Sequence, residues 1–203
     1  GLEKKDFLAK AGFSPAEWLD MDFTASSHWD KFGLPGPVSE SDFNGSEDDR
    51  QSTNFPDDGG ETNDDRLRVD VSVGNETFGV LRTTALVRDR DNLFRFNAGP
   101  DSPFSLIRED NQEFQSQYDF DFSLLSLNHS VYVGIEFRDT EYSRGWEQIR
   151  IDYDVKRGDI DQRAWFVAAD ISLSTALNLS LGFRQDRSDV TTREKIFDDE
   201  LCD

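Results

Sequence analysis

The chain is poor in the residues that most often build catalytic or metal centres. Its 203 residues include one cysteine, Cys202, and two histidines, His28 and His129. A lone cysteine forms no internal disulfide and supplies no cysteine-rich metal cluster. The sequence also lacks His-Glu-x-x-His, Gly-x-Ser-x-Gly and phosphate-loop motifs. A zinc centre or a histidine-based catalytic triad is therefore not expected.

Positive charge is scarce as well. The chain carries 42 acidic and 22 basic side chains, which gives a formal net charge of -20 at pH 7. Such a chain repels the phosphate backbone of nucleic acids instead of releasing its counterions. Nucleic acid and anionic membrane surfaces are therefore not expected as partners. The acidic surface is interpreted as a solvated surface in a salty or extracellular setting, with binding of a cation or a cationic ligand as the alternative.

Long apolar runs are absent from the sequence. No stretch of 18 consecutive apolar residues exists, so no membrane-spanning helix is expected, and no signal peptide begins the chain.

The first third of the chain differs in composition from the rest. Leu2, Phe7, Leu8 and Ala11 follow a helical spacing that ends at Gly12, and Ser14-Pro15-Ala16-Glu17 has the pattern of a capping box. These features predict two short helices within residues 1–38. Residues 39–65 are rich in Ser, Asn, Gly and acidic residues, which predicts an acidic loop or linker.

Alternation of apolar and polar residues begins after Arg66 and predicts an antiparallel β domain over residues 66–203. Short spacers at 128–129, 141–145, 157–159 and 174–176 indicate tight turns between neighbouring strands. Eight or nine strands are expected in a meander. The expected fold is all-β and barrel-like, with a two-sheet β-sandwich as the alternative. The apolar sets are Val69/Val71/Val73, Val131/Val133/Ile135/Phe137, Ile149/Ile151/Tyr153/Val155, Trp165/Val167/Ala169/Ile171/Leu173 and Leu177/Leu179/Leu181/Phe183.

Periodicity alone does not say whether the apolar strand faces point inward or outward. If they point outward to lipid, the chain is an outer-membrane type of barrel with a charged interior. If they point inward, it is a soluble, secreted β module that binds a ligand or joins an assembly. Arg150, Asp152 and Asp154, with Trp146 at a strand start, are the candidate residues for the interior or for a ligand such as a glycan.

The C-terminal stretch adds a family resemblance. Leu179–Asp186 has the order Leu-Ser-Leu-Gly-Phe-Arg-Gln-Asp, and Asp189, Arg193 and the acidic segment 197–203 follow it. This arrangement resembles strand-and-loop segments of outer-membrane β-barrels of the alginate-export or porin type. The resemblance implies a barrel in the outer membrane with a transport or structural role. Envelope or extracellular partner subunits are then expected.

One acidic segment has the spacing of a calcium loop. Glu40, Asp42, Asn44 and Asp48 occupy positions one, three, five and nine, with Gly45 at the sixth. The twelfth position is Gln51, where a closing Glu is usual. A Ca²⁺ site and a solvated acidic loop both remain open.

Enzymatic activity is not expected, although one form of it is chemically conceivable. Asp119/Asp121 and Asp152/Asp154 are carboxylate pairs on one strand face, as acid–base glycan cleavage requires. With 42 acidic residues such pairs are unavoidable, so a solvated or salt-bridged face is the favoured interpretation. The leading hypothesis is the cell-envelope barrel.

Overall fold

The computed structural model describes residues 1–34, 40–46, 58–75, 77–95, 104–148 and 151–195. Eight long strands and one short helix make up this part of the chain. None of its helices is long and apolar enough to cross a membrane. The strands are β1 (Leu2–Ala16), β2 (Leu19–Gly33), β3 (Gly59–Asn75), β4 (Gly79–Arg95), β5 (Phe104–Leu124), β6 (Leu127–Gln148), β7 (Ile151–Ser174) and β8 (Leu177–Lys195), and the helix is α1 (Glu40–Phe43).

All eight strands belong to one antiparallel sheet in sequence order, each paired with the next. The predicted antiparallel meander is therefore confirmed, and its form is that of part of a β-barrel. The two-sheet sandwich does not form among the described residues, because every described strand belongs to this one sheet.

The predicted N-terminal helices are wrong. Residues 2–16 and 19–33 are the strands β1 and β2, and β2 pairs with β3 over its whole length. The helical spacing arose because Leu2 and Leu8 lie on the opposite face from Phe7, so the alternation of β1 is blurred. The Ser-Pro pair read as a helix start sits where the β1–β2 register shifts, and proline is tolerated at such irregularities of an edge strand.

The predicted boundaries also change elsewhere. Residues 59–65, assigned to the acidic linker, form the first part of β3. The turns expected at 141–145 and 157–159 lie inside β6 and β7. In these stretches both faces are polar, so the alternation disappears from the sequence while the hydrogen-bonded ladder continues.

Two of the predicted tight turns can be compared directly with the structure. The expected turn at 174–176 is confirmed between β7 and β8. The turn between β5 and β6 lies at 125–126 instead of 128–129. Leu125 and Ser126 have φ values of 54° and 63° there, a left-handed conformation that sequence rules assign to Gly or Asn.

Burial in the sheet is the reverse of that in a soluble domain. Ala164 is the one hydrophobic residue that is buried within the described part of the chain. Several polar residues are buried, including Asp64 at 8% exposure and Ser105 at 3%. Large apolar side chains such as Phe183 remain more than half exposed at 56%. Within the described residues the sheet therefore has no apolar core of its own.

Candidate functional site

Strand pairing gathers most of the large apolar side chains on one face of the sheet, here called the apolar face. Val133, for example, lies opposite Tyr118 of β5 and Val167 of β7. Together they form a band that starts near the short turns, and no described element covers it. On β2 to β8 the band comprises Leu19/Met21/Phe23, Leu67/Val69/Val71/Val73, Leu81/Ala85/Val87, Phe114/Tyr118/Phe120/Phe122/Leu124, Leu127/Val131/Val133/Ile135/Phe137, Trp165/Val167/Ala169/Ile171 and Leu177/Leu179/Leu181/Phe183.

The band has the height of a lipid bilayer core. On β6 it runs from Leu127 to Phe137, which corresponds to about 35 Å along the strand at roughly 3.3 Å per residue. A strand tilted by about 45° spans about 25 Å over that length, and this matches the apolar belt of membrane barrels. Beyond Phe137 the same face carries Asp139 and Glu141, so the band ends there.

From β3 to β8 the upper border of the band shifts toward the short turns. The row of paired residues that starts at Leu67 on β3 reaches Asp189 on β8. The band ends at Leu67 on β3 and at Phe183 on β8, six residues before Asp189 in the sequence. This displacement is about 20 Å over about 24 Å of sheet width, so the strands cross the band at about 40°. Membrane barrels have strand tilts of 35–45°.

The opposite face, here called the polar face, is charged and hydrogen-bonded. Asp64 of β3 is its most connected carboxylate. It accepts two hydrogen bonds from Arg66, at 2.9 and 2.7 Å, and two from Arg88 of β4, at 3.0 and 2.7 Å. Arg88 also lies 3.5 Å from Glu109 of β5. Bidentate pairs of this kind hold guanidinium groups in fixed orientations.

A second charged group connects the later strands. Arg184 of β8 donates a 2.6 Å hydrogen bond to Glu136 of β6, and it also contacts Asp186 at 2.8 Å. This bond crosses β7 above Ala164, whose small side chain leaves room for it. The groove next to these residues has a volume of about 490 Å³ and also includes Arg138.

The first hairpin carries the third polar group. His28 Nδ1 lies 2.6 Å from Asp6 Oδ1, and His28 Nε2 lies 3.0 Å from Asp30 Oδ2. Both ring nitrogens therefore face carboxylates, an arrangement that favours the doubly protonated imidazolium. The second oxygen of Asp30 is buried without a hydrogen-bond partner.

Aromatic rings cover glycines at two places in the ladder. A Cβ atom added to Gly134 would lie 2.2 Å from Cζ of Phe166, and one added to Gly79 would lie 2.7 Å from the Tyr118 hydroxyl. Gly79 also has φ of 84°, a conformation that glycine adopts readily. The rings thus replace missing side chains and fix the register of neighbouring strands.

The ligand residues predicted from the sequence remain a prediction. Trp146 lies on β6, and Asp152 and Asp154 lie on β7, where the pairing register shifts; the structure describes their backbone alone. Arg150 lies outside the described residues. Sequence reasoning missed Asp64, which it placed in the linker. The polar period Thr62-x-Asp64-x-Arg66-x-Arg68-x-Asp70 was the available signal for a strand there.

The predicted calcium loop is likewise untested. Glu40 and Asp42 lie on α1, and the side-chain amide and backbone nitrogen of Asn44 donate to the Glu40 carbonyl oxygen at 2.9 and 3.1 Å. Asp48 lies outside the described residues. Within the described part of the chain, no group of three or more acidic, His or Cys residues is arranged to hold a metal.

A match to a protein family covers most of the chain. Residues 13–199 match the family described as TonB dependent receptor-like, beta-barrel. No curated protein matches the chain significantly in sequence.

Solved structures with the same fold include a transporter and receptors of the outer membrane. The ferric citrate transporter FecA is 14% identical, with a TM-score of 0.76 over 95% of this chain and 30% of that one. The alcaligin outer-membrane receptor FauA from Bordetella pertussis is 11% identical, with a TM-score of 0.77 over 96% and 29%. The ferripyoverdine receptor of Pseudomonas aeruginosa is 12% identical, with a TM-score of 0.74 over 96% and 32%. The chain thus spans about a third of the length of these proteins.

Proposed function

Since the chain belongs to the TonB-dependent receptor-like β-barrel family, we propose that it forms part of the barrel wall of a receptor that imports a ligand across the outer membrane. The family places the chain in the outer membrane of the cell envelope. The wall consists of strands β1 to β8. The family match favours a receptor barrel over the alginate-export or porin type suggested by the C-terminal resemblance.

The single observation that carries this proposal is the inverted distribution of side chains. The apolar band lies exposed at bilayer height, and the charged side chains lie together on the other face. In water the apolar band would cost free energy in proportion to its area, whereas in a bilayer the same band is solvated by acyl chains. The soluble, secreted β module would instead need its apolar face buried.

In this arrangement the polar face lines the barrel interior. Asp64, Arg88, Glu136 and Arg184 then face a water-filled or protein-filled lumen, where ion pairs are not exposed to lipid. The charged interior predicted from the sequence is therefore retained as a proposal, with these residues in addition to the ones first named. Glycan-cleaving activity is not proposed, since Asp64 and Glu136, the carboxylates named here, are paired with arginines.

The orientation follows from connection lengths. The turns between β1 and β2, β3 and β4, β5 and β6, and β7 and β8 have two or three residues, whereas 25 residues separate β2 from β3 and eight separate β4 from β5 at the other end. Two residues separate β6 from β7 at that end, where these two strands are the longest of the sheet. Membrane barrels carry short turns on the periplasmic side and longer loops outside the cell. We therefore place the short-turn end in the periplasm.

The ligand class is suggested by the related receptors. FecA is a ferric citrate transporter, and the Pseudomonas receptor binds ferripyoverdine. A ferric chelate is accordingly the ligand class proposed here. The groove beside Arg138, Arg184 and Glu136 offers both cationic and anionic groups to such a polar ligand.

Uptake by the complete receptor tests this proposal. Cells that produce or lack the receptor are given radiolabelled iron as citrate, hydroxamate and catecholate complexes. We expect at least one complex to be taken up by cells that produce the receptor. Cells that lack the receptor and cells without TonB should not take up this complex. Equal uptake by all strains for every complex would reject the ferric-chelate receptor.

A paired cysteine experiment tests the interior directly. In a Cys202→Ser background, Glu136→Cys and its neighbour Ile135→Cys are treated with a charged, water-soluble thiol reagent on intact cells. Modification at 136 should slow uptake, and position 135 should stay unmodified, because lipid covers it. Reaction at 135 and not at 136 would contradict the charged interior.

Calcium binding stays a separate prediction. The residues concerned are Glu40, Asp42, Asn44 and Asp48, in the connection between β2 and β3. Titration calorimetry of the receptor with Ca²⁺, before and after Glu40→Gln with Asp42→Asn, tests it. A heat signal that these substitutions leave unchanged would remove this site.

A further inference from the structure

Two arginines of like charge lie side by side where the apolar band ends. Arg163 of β7 and Arg187 of β8 are directly opposite each other in the ladder. Like charges at directly opposed positions destabilise a sheet unless an opposite charge compensates them. The compensation within the protein is incomplete, because Arg187 contacts Asp189 of its own strand at 2.9 Å while Arg163 has no ion pair among the described residues.

The pair lies on the lipid-facing side of the sheet. Arg163 has the same strand parity as Trp165 and Val167, and its neighbour on β6 is Phe137. The next pair toward the turns is Trp165 with Gln185, whose side chains share a 3.1 Å hydrogen bond. Trp165 also contacts the ring of Phe183, with centroids 5.1 Å apart. Aromatic residues with one polar contact mark the bilayer interface.

The position of the two arginines along the membrane normal determines which lipid groups surround them. With the short turns in the periplasm, the upper border of the band meets the outer leaflet, and the first groups above the acyl chains are lipid headgroups. Guanidinium groups bind phosphate oxygens through two parallel hydrogen bonds. The Arg187–Asp189 pair is exposed at 75% and 57% of its side chains, so this bond is weak and is easily exchanged for a phosphate.

We propose that Arg163 and Arg187 bind the phosphate of an outer-leaflet lipid, whose acyl chains lie on Trp165, Phe183 and Phe137. The inference rests on the proposed orientation in the outer membrane. The phosphate lies between the two guanidinium groups and removes their mutual repulsion. The site is separate from the polar face, so it holds a structural lipid and takes no part in ligand import.

The chain provides a matched control for this site. Arg157 and Arg193 are a second pair of directly opposed arginines on the same face, and neither has an ion pair among the described residues. They lie six residues further from the band, about 20 Å along the strands. A phosphate held in the headgroup layer reaches the first pair and not the second.

The experiment measures lipid binding to the purified complete receptor by native mass spectrometry and by its melting temperature in detergent. The probes are a phosphorylated outer-leaflet lipid, the same lipid after dephosphorylation, and inorganic phosphate. We expect the phosphorylated lipid to bind at least tenfold more tightly than the dephosphorylated one. The double variant Arg163→Gln/Arg187→Gln should lose this preference, and Arg157→Gln/Arg193→Gln should keep it.

Several outcomes would overturn the proposal. Equal binding of both lipid forms to the unmodified receptor would do so without any variant, and so would equal stabilisation by inorganic phosphate. If the glutamine variant fails to assemble, Arg163→Lys/Arg187→Lys keeps the charge and removes the forked hydrogen bonds; unchanged phosphate preference there would contradict the site. Absence of phosphate preference in the unmodified receptor, together with normal iron uptake, would overturn this proposal and leave the proposed function standing.

Discussion

The lower and upper halves of the long hairpins share one hydrogen-bond ladder but meet different surroundings. Between Leu127 and Phe137, β6 alternates apolar and polar side chains, and beyond Asp139 both of its faces are polar. Pairing with β5 and β7 continues through both halves. The comparison shows that alternation reports what each face touches, whereas the ladder itself needs only the backbone. In the proposed arrangement the lower half is the membrane segment, and the upper half, here called the extension, projects beyond it.

A charge placed on the apolar face in each half tests most strongly whether the two halves have different surroundings. Val133→Arg introduces a guanidinium near the middle of the band, and we expect a loss of about 2–4 kcal/mol in the free energy of unfolding. Ser143→Arg puts the same group on the same face in the extension, opposite Arg108 and Arg157, where like-charge repulsion should cost less than about 1 kcal/mol. Urea unfolding of the receptor in lipid vesicles measures both. Equal losses at both positions would show that no lipid boundary lies between them.

Close packing in the membrane segment predicts the next largest effect. Gly134→Val should cost about 1–3 kcal/mol, because the new side chain would collide with the Phe166 ring. Gly182→Ala is the control, since its Cβ would meet the nearest atom, Cβ of Ala168, at 3.7 Å. Assembly yield in the outer membrane and thermal unfolding measure the difference. A tolerated valine would mean that the ring does not cover Gly134.

The polar face offers a comparison of buried and exposed ion pairs. Asp64→Asn leaves Arg66 and Arg88 without their shared carboxylate, and we expect a loss of about 1–3 kcal/mol. Glu194→Gln weakens the exposed Lys156–Glu194 pair, which lies at 2.8 Å, and should cost less than about 0.5 kcal/mol. Denaturant midpoints of the two variants check this order. Its reversal would mean that the Asp64 cluster does not stabilise the sheet.

In the extension, removal of one negative charge should increase the stability of the protein. Asp65, Asp89, Asp110, Glu141 and Asp159 form an unbroken row of directly paired carboxylates on five strands.

Asp110→Asn should stabilise the protein by a few tenths of a kcal/mol, because it removes repulsion from both sides. The gain should shrink at 1 M salt, where the Debye length is about 3 Å. Asp91→Asn, which removes the partner of Arg108 at 3.5 Å, should give no gain. A gain at position 110 that salt leaves unchanged would argue against electrostatic repulsion as its cause.

The membrane segment and the extension also differ in how well the sequence predicts their structure. Strands with an apolar face, such as β8, were predicted well, because Leu177 to Phe183 alternate without interruption. The extension was misread as turns since Gly145 and Gly158 stand among polar residues on both faces. β1 was misread as a helix because Leu2 and Leu8 interrupt its alternation, and only pairing with β2 decides its conformation.

The candidate site was harder to predict than the fold. Its ion pairs join residues far apart in the sequence, such as Arg184 with Glu136, and the strand register that brings them together is not encoded locally. The direction of the apolar face was also undetermined, because period two is the same for a soluble and a membrane strand. The structure indicates this direction, because the apolar band is exposed and the charged side chains lie on the opposite face.

Lipid accessibility along β6 tests the central claim most directly. Spin labels are placed at each position from 131 to 145 in a Cys202→Ser receptor in bilayers, and their contact with dissolved oxygen and with a water-soluble nickel complex is measured. We expect oxygen contact at 131, 133, 135 and 137, nickel contact at the positions between them, and loss of the alternation from 139 onward. Oxygen contact at 134 and 136, with 133 and 135 shielded, would contradict the outward-facing apolar band.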